Sequence, residues 1–390
     1  MRIATLPTGD PVHRYEKCIV VAFGGKRRVL STCPFHGGYR EDLTAVFNND
    51  INQGPGMECR MLSEDYEEHI RLMAKKLGLD PDTSTGMATA ASMENVSIQT
   101  EQSGNTIVTA VVTGGIENNA GRAGDPASWD EAEEKKSPVR AGTINIMLFF
   151  NVDLTEGALT RALVTCTEAK TAAIQELLAP SRYSMGLATG SGTDGTIVVC
   201  DAEAELRLTN AGKHSRLGEL IGKAVKRAVK EALKLQTGLS PESQHHVLKR
   251  VDRFGITETD LWENCRNREL SRADFSDRLY RIGQRGDLTA SVSLYVHLMD
   301  QLAWGLLTPE EAWTSGQKVL NMMTDMEDIN MEREAEPVKT ADAAESAAML
   351  NDMIGALKET LCRIVCCQYR MKKGMKKNDK TDEYDRLPPG

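Results

Sequence analysis

Residues 143–151 (TINIMLFFN) constrain the fold of this chain more than any other stretch. Apolar side chains occupy both parities of the run from Ile144 to Phe150, so a strand built from it must be covered on both faces. The run is far shorter than the ~20 residues a membrane span requires. It is followed at once by residues 155–178, where Leu159, Leu163, Cys166, Ala169, Ala173 and Leu177 recur at helical spacing and Pro180 lies just beyond. A buried strand feeding a long amphipathic helix predicts layers of helix on sheet. A second helix is predicted over residues 215–235, with Leu217, Leu220, Ile221, Ala224, Ala228 and Ala232 on its apolar stripe. Its outer face is basic (Lys223, Lys226, Arg227, Lys230, Lys234). Between these helices a glycine-rich loop, residues 189–195 (TGSGTDG), leads into a strand over 196–200.

Upstream, residues 18–23 and 28–33 read as two strands around the turn Gly24-Gly25-Lys26, and residues 63–77 as a helix capped by Ser63. Residues 96–99 and 107–112 flank a polar EQSGN segment and predict a hairpin. Residues 118–140 form a long polar loop of the length that often carries function. From Ser240 onward strand signals fade. Helix starts are expected at Ser240-Pro241-Glu242, at 257–260 and at 308–311. The fold class expected is α+β, a mixed and mainly antiparallel sheet covered by helices, followed by an all-α C-terminal extension. The divisions expected are 1–239, a helical extension over 240–330, and 331–390 as a helix with a polar tail that is disordered from about Met371.

The 390 residues allow two domains, or one large domain with an appendage. With 47 basic against 56 acidic residues the net charge is −9, which argues against nucleic acid as the main partner. No charged start followed by an apolar run precedes the first strand, so a cytoplasmic protein without membrane attachment is expected. Nine scattered cysteines without a CxxC read as reduced, mostly core residues.

Chemistry concentrates in a few places. In the glycine-rich loop, backbone N–H groups can approach a ligand closely. No Lys-Ser/Thr follows, so it is not a nucleotide P-loop, and it precedes a strand, so it is not a dinucleotide fingerprint. Lys170 falls on the stripe of Leu163, Cys166 and Ile174, either with a solvated head or held against a partner in a site. Glu168 sits about 160° away around the helix axis. His214 precedes the helix at 215, where the dipole disfavours imidazolium and leaves a usable general base. No His, Cys and carboxylate set has metal-ligand spacing.

Several segments together resemble one family, the adenosylcobinamide amidohydrolases (CbiZ). They are HGGYRED (36–42), TGMATAA (85–91), VVTGGIENNAGRAGDP (111–126), GTINIMLFFNVDLTEGALTRALVTCTEAKTAA (142–173), LATGSGTDGTIVV (187–199) and AGKHSRLGELIGKAV (211–225). The resemblance covers about residues 15–235. It departs at Ser191, where the family pattern has threonine, and at His36, where it has asparagine. The resemblance implies hydrolysis of one amide in adenosylcobinamide to adenosylcobyric acid and aminopropanol. The cobalt corrinoid is then substrate and no cofactor or protein metal site is needed.

On that reading Asp194, His214 and Glu168 are candidates to activate water or protonate the amine, Lys170 to polarise the carbonyl, and Thr193 or Thr189 to act as an alternative nucleophile. Gly190, Ser191, Gly192 and Thr189 would grip the amide. Asn118, Arg122 and Asp125 would contact the corrin periphery, and Gly37, Gly38 and Asn145 complete the substrate contacts. The rival reading is a corrinoid-binding carrier or regulator without hydrolysis, acting through the helical extension. That extension could also support a homo-oligomer. A nucleotide-dependent transferase is weaker, because the P-loop lysine is missing.

Overall fold

The structure, a computed structural model, describes residues 1–54, 57–127, 129, 130, 132, 135, 136, 142–265, 270–326 and 343–378. The chain forms two compact units, Met1–Pro241 and Glu242–Gly390.

The first unit is built in four layers. A five-stranded sheet joins, in order, β1 (Arg2–Thr5), β2 (Pro11–Tyr15), β3 (Cys18–Ala22), β6 (Ala45–Asp50) and β7 (Ser84–Thr89). A six-stranded sheet runs β5 (Gly38–Arg40), β4 (Arg27–Ser31), β11 (Gly195–Asp201), β10 (Thr143–Phe150), β9 (Thr106–Gly115) and β8 (Ser97–Ser103). Each sheet is antiparallel apart from one parallel pair, β6 with β7 and β10 with β11. The chain leaves each parallel pair through a helix, as parallel neighbours demand. These helices are α1 (Tyr66–Lys76) and α2 (Glu156–Glu176). Helix α3 (Arg216–Thr237) follows and packs beside α2.

The apolar run at 143–151 shows why this arrangement forms. Every residue of β10 is buried. Ile144, Ile146, Leu148 and Phe150 enter the core under α2 and α3, whereas Met147 and Phe149 enter the core between the two sheets. Burying each such side chain is worth about 1.5–3 kcal/mol, and the strand contributes to both cores at once. A third cluster, Cys18, Val20, Phe47, Ile70 and Met73, seats α1 on the far side of the five-stranded sheet. Helices α2 and α3 start at Thr155 and Ser215, whose hydroxyls accept from Ala158 N and Gly218 N, and α3 ends at Gly238 in the left-handed region at φ 72°.

The expected α+β class with mainly antiparallel pairing is present, with most strands divided between two large sheets. The expected hairpin over 18–33 does not form: β3 and β4 belong to different sheets. The reason is electrostatic. Arg27 is buried and forks onto Asp10 (3.0 and 3.1 Å) while also donating to Asp201 Oδ1 at 2.9 Å, so the glycine turn is tied between sheets and cannot close a ladder. The hairpin at 96–112 does form, as β8 and β9. Helix α1 is capped by Asp65 in place of Ser63: the Asp65 carboxylate accepts from Glu68 N at 2.7 Å.

From Pro241, the last residue of the first unit, onward the described elements are helical: α4 (Pro241–Gln244), α5 (Val247–Val251), α6 (Glu258–Cys265), α7 (Arg272–Gly283), α8 (Gly286–Ala303), α9 (Pro309–Asp325) and α10 (Ala343–Asn378). One core contains Phe275, Val292, Met299 and Leu320 together with Met353, Leu357 and Leu361, and Tyr295 donates to Met353 O at 3.0 Å. Described helices from both expected divisions, 240–330 and 331–390, contribute side chains to this core. The tail expected to be disordered from about Met371 is helical through Asn378, and the expectation for 379–390 lies outside the described residues. Among the described residues no helix is long and apolar enough to cross a membrane.

Candidate active site

Asp194 organises the glycine-rich loop. Its Oδ1 accepts from Ile144 N (2.8 Å) and from Ser191 Oγ (2.7 Å). Its Oδ2 accepts from Ser191 N (3.0 Å) and forms an ion pair with Lys170 Nζ. The Lys170 and Asp194 side chains are only 12% and 10% exposed, so the pair is nearly desolvated. The four donors satisfy a carboxylate that burial would otherwise penalise heavily. Above the pair the chain emerges into solvent: Ser191 is partly exposed, and Gly192 and Thr193 are exposed.

Three hydroxyls lie on this loop and their partners differ. Thr189 Oγ1 accepts from Ala123 N (2.9 Å), Thr193 Oγ1 donates to Gly142 O (2.9 Å), and Ser191 Oγ donates to the Asp194 carboxylate. Lys170 thus has the partner in a site that its place on the helix stripe left open.

A second segment clamps the loop. Ala120–Gly121 pairs with Gly190–Ser191 in a short antiparallel ladder, Arg182 N donates to Ala120 O (2.8 Å), and Thr189 N to Gly121 O (2.8 Å). Arg122 reaches Leu187 O at 3.1 Å. Asp125 Oδ2 accepts from Ser181 Oγ (2.6 Å) and Arg122 N (2.7 Å). Burial pushes the Asp125 carboxyl up, but hydrogen bonds from Ser181, Ser184 and Arg122 N outweigh it and hold the group below the usual carboxylate range. Asn118 is exposed and makes no hydrogen bond among the described residues. Its neighbour Asn119 is buried, donates to Gly142 O (2.9 Å) and accepts from Tyr183 Oη (2.7 Å).

Asn145 is 1% exposed, and its side chain is fully engaged. It accepts from Gly195 N (3.1 Å) and donates to Asn48 Oδ1 (2.8 Å) and Ala88 O (3.1 Å), while Asn48 donates to Thr113 Oγ1 (2.7 Å). This chain of amides joins the two sheets beneath the loop. Asn145 therefore positions the loop's C-terminal end, and the substrate contact expected of it has no free group to make. Gly37 and Gly38 form a tight turn into β5. A side chain at Gly37 would collide with Cys33 O, and Gly38 has φ 76°. Because β4 is antiparallel to β11, with Ile197 opposite Ser31, this turn lies toward the loop's edge of the sheet.

Glu168 and His214 are elsewhere. Glu168 is exposed and pairs with Lys213 at 2.8 Å, on the side of α2 away from Lys170, in a groove shared with Lys223 and Lys226. His214 is exposed, with no hydrogen bond or ion pair among the described residues. Asp194 and Lys170 are thus brought together, and these two are not brought to them. The basic face of α3 is largely neutralised: Lys226 and Lys230 pair with Glu176, and Arg227 with Glu101. Burial pushes the thiols of Cys166 and Cys33 up to about 12 and about 11, so neither is a nucleophile at neutral pH.

Sequence reasoning missed Asn48, Asn119, Ser181 and Tyr183. Only Asn119 carried a signal, as the second of two adjacent asparagines.

Comparison with known proteins finds relatives of the first unit. The family model described as adenosylcobinamide amidohydrolase (CbiZ) matches residues 3–241. An uncharacterized protein of Methanocaldococcus jannaschii is 36% identical over 235 residues, covering 57% of this chain and 88% of that protein. The adenosylcobinamide amidohydrolase of Methanosarcina mazei is 31% identical over 178 residues, covering 44% of this chain and 76% of that protein. The match spans both sheets, the glycine-rich loop and its clamp, and the chain belongs to the adenosylcobinamide amidohydrolase (CbiZ) family.

Proposed function

We propose that the chain hydrolyses the amide joining the corrin side chain to aminopropanol in adenosylcobinamide, releasing adenosylcobyric acid that re-enters cobamide assembly. The corrinoid and its cobalt are substrate, and the enzyme acts in the cytoplasm on the free small molecule. Amide hydrolysis requires an activated oxygen nucleophile, stabilisation of the oxyanion and a proton for the departing amine.

The observation that carries this reading is the desolvated Lys170–Asp194 pair directly under a partly exposed hydroxyl edge, within the segment the family model covers. A carboxylate so placed can take a proton from an attacking oxygen, and the ammonium offsets the negative charge that builds on the oxygen of the tetrahedral intermediate. Arg122 and the exposed Asn118, on the clamp beside the loop, are suited to the peripheral amides of a corrin.

The test is incubation of the purified full-length chain with adenosylcobinamide in the absence of any nucleotide, followed by mass spectrometry. Adenosylcobyric acid and aminopropanol are expected in equal amounts. Tight corrinoid binding with no product would replace this reading with the carrier, and product only with ATP would replace it with a transferase.

A further inference from the structure

We propose that the Ser191 hydroxyl is the nucleophile and that the reaction passes through an acyl-enzyme ester on Ser191 Oγ. This rests on the hydrolase reading above. Of the three loop hydroxyls, Ser191 is the one whose proton points to a base, with Oγ 2.7 Å from Asp194 Oδ1. Thr193 Oγ1 donates its proton to the Gly142 carbonyl, which is no base, and the Thr189 oxygen is held by Ala123 N. The base is itself fixed from three other directions, by Ile144 N, Ser191 N and Lys170. A nucleophile bonded to a base that a third group orients is the arrangement activated serines share on unrelated folds. Thr193 N also donates to Ser191 Oγ at 3.2 Å, which favours negative charge on that oxygen.

In the first half-reaction Ser191 Oγ bonds to the amide carbon as its proton moves to the Asp194 carboxylate. The carbon–nitrogen bond then breaks, and the Asp194 proton leaves on the amine of aminopropanol. In the second, water attacks the ester carbon and gives a proton to Asp194. The carbon–Oγ bond breaks, the carboxylic acid departs, and the proton returns to Oγ. No oxidant, metal or nucleotide enters the balance. The Gly192 N–H makes no hydrogen bond among the described residues and follows the nucleophile in the chain, the position from which backbone donors serve tetrahedral oxyanions. A Cβ added at Gly192 meets nothing within 4 Å, so a substrate has open approach to this edge.

The experiment uses the full-length chain with adenosylcobinamide in the presence of hydroxylamine. An acyl ester partitions, so adenosylcobyric hydroxamate is expected alongside the acid, in a ratio that rises with hydroxylamine concentration. Ser191→Ala is expected to lower kcat by about 10³-fold or more with little change in KM, whereas Ser191→Thr keeps the hydroxyl and stays within about tenfold of the parent. Wild-type enzyme that forms only acid, or Ser191→Ala that turns over at the parental rate, would overturn the acyl-enzyme while leaving the hydrolase reading intact. No product from wild-type enzyme would remove the hydrolase reading itself. The hydroxamate readout needs no variant, so a folding defect in Ser191→Ala cannot blunt the test.

Discussion

At Gly190 an added methyl group would drive into Asp194 Oδ2 and come within 2.9 Å of Lys170 Nζ. That glycine is present for the charge pair, since the pair fills the space a side chain would need. Two residues on, Gly192 faces open space. The two glycines of one motif thus answer to different causes, and their alanine variants should part company. Gly190→Ala is expected to destabilise the fold by about 1–3 kcal/mol, as overpacking does, and to cut turnover because the Ser191–Asp194 geometry shifts. Gly192→Ala should melt within about 0.5 kcal/mol of the parent. Thermal denaturation of both, with adenosylcobinamide turnover alongside, decides it; equal melting of the two would contradict the packing argument. The same geometry warns against reading Asp194→Asn by activity alone. Breaking a pair this buried costs about 3–5 kcal/mol, so its kinetics mean little until its stability is measured.

Among the elements, the clamp between residues 116–125 and 178–191 is what converts a flexible glycine loop into a fixed site. Its acid-sensitive joint is Asp125 with Ser181. Because the folded carboxyl is held below its unfolded value, the joint's contribution is complete above the unfolded pKa of about 3.9 and fades as pH falls through the folded pKa. A carbon-13 titration of the Asp125 carboxyl should therefore show a midpoint below about 3.9, and Ser181→Ala should raise it. A midpoint at the ordinary aspartate value in the parent would mean the clamp is not closed in solution.

Elements were legible where one local rule governs them. The strand at 143–150, its helix and the hairpin at 97–115 announce themselves by periodicity. The fate of residues 18–33 was not legible, because it turns on Arg27 reaching Asp10 and Asp201, partners 17 and 174 residues away. In the site, Lys170 stood out as a cation on an apolar stripe, and its partner Asp194 lay in a visible motif. The choice of Ser191 over Thr193 depended on which hydroxyl meets a carboxylate, and the burial of Asn119 in place of Asn118 depended on a tyrosine 64 residues away. No spacing rule in one sequence encodes such long-range partners.

For the whole molecule, the placement of the hydrophobic clusters is decisive. The buried residues of the three clusters described in the first unit fall between Leu6 and Leu233, and those of the cluster described in the second unit fall between Val247 and Val365, so each described cluster belongs to one unit. The family model ends at residue 241, where the first unit ends. The Ser191–Asp194–Lys170 set, its clamp and the asparagine chain beneath it all lie before that point. Domains with private cores fold alone. Residues 1–241 expressed without the remainder should then unfold in one cooperative transition and hydrolyse adenosylcobinamide within about threefold of the full chain's rate. Calorimetry and a product assay on the two proteins side by side make the comparison. A fragment that folds cooperatively yet loses turnover would place part of the working site in the helical unit, and the geometry of the first unit would then be necessary without being sufficient.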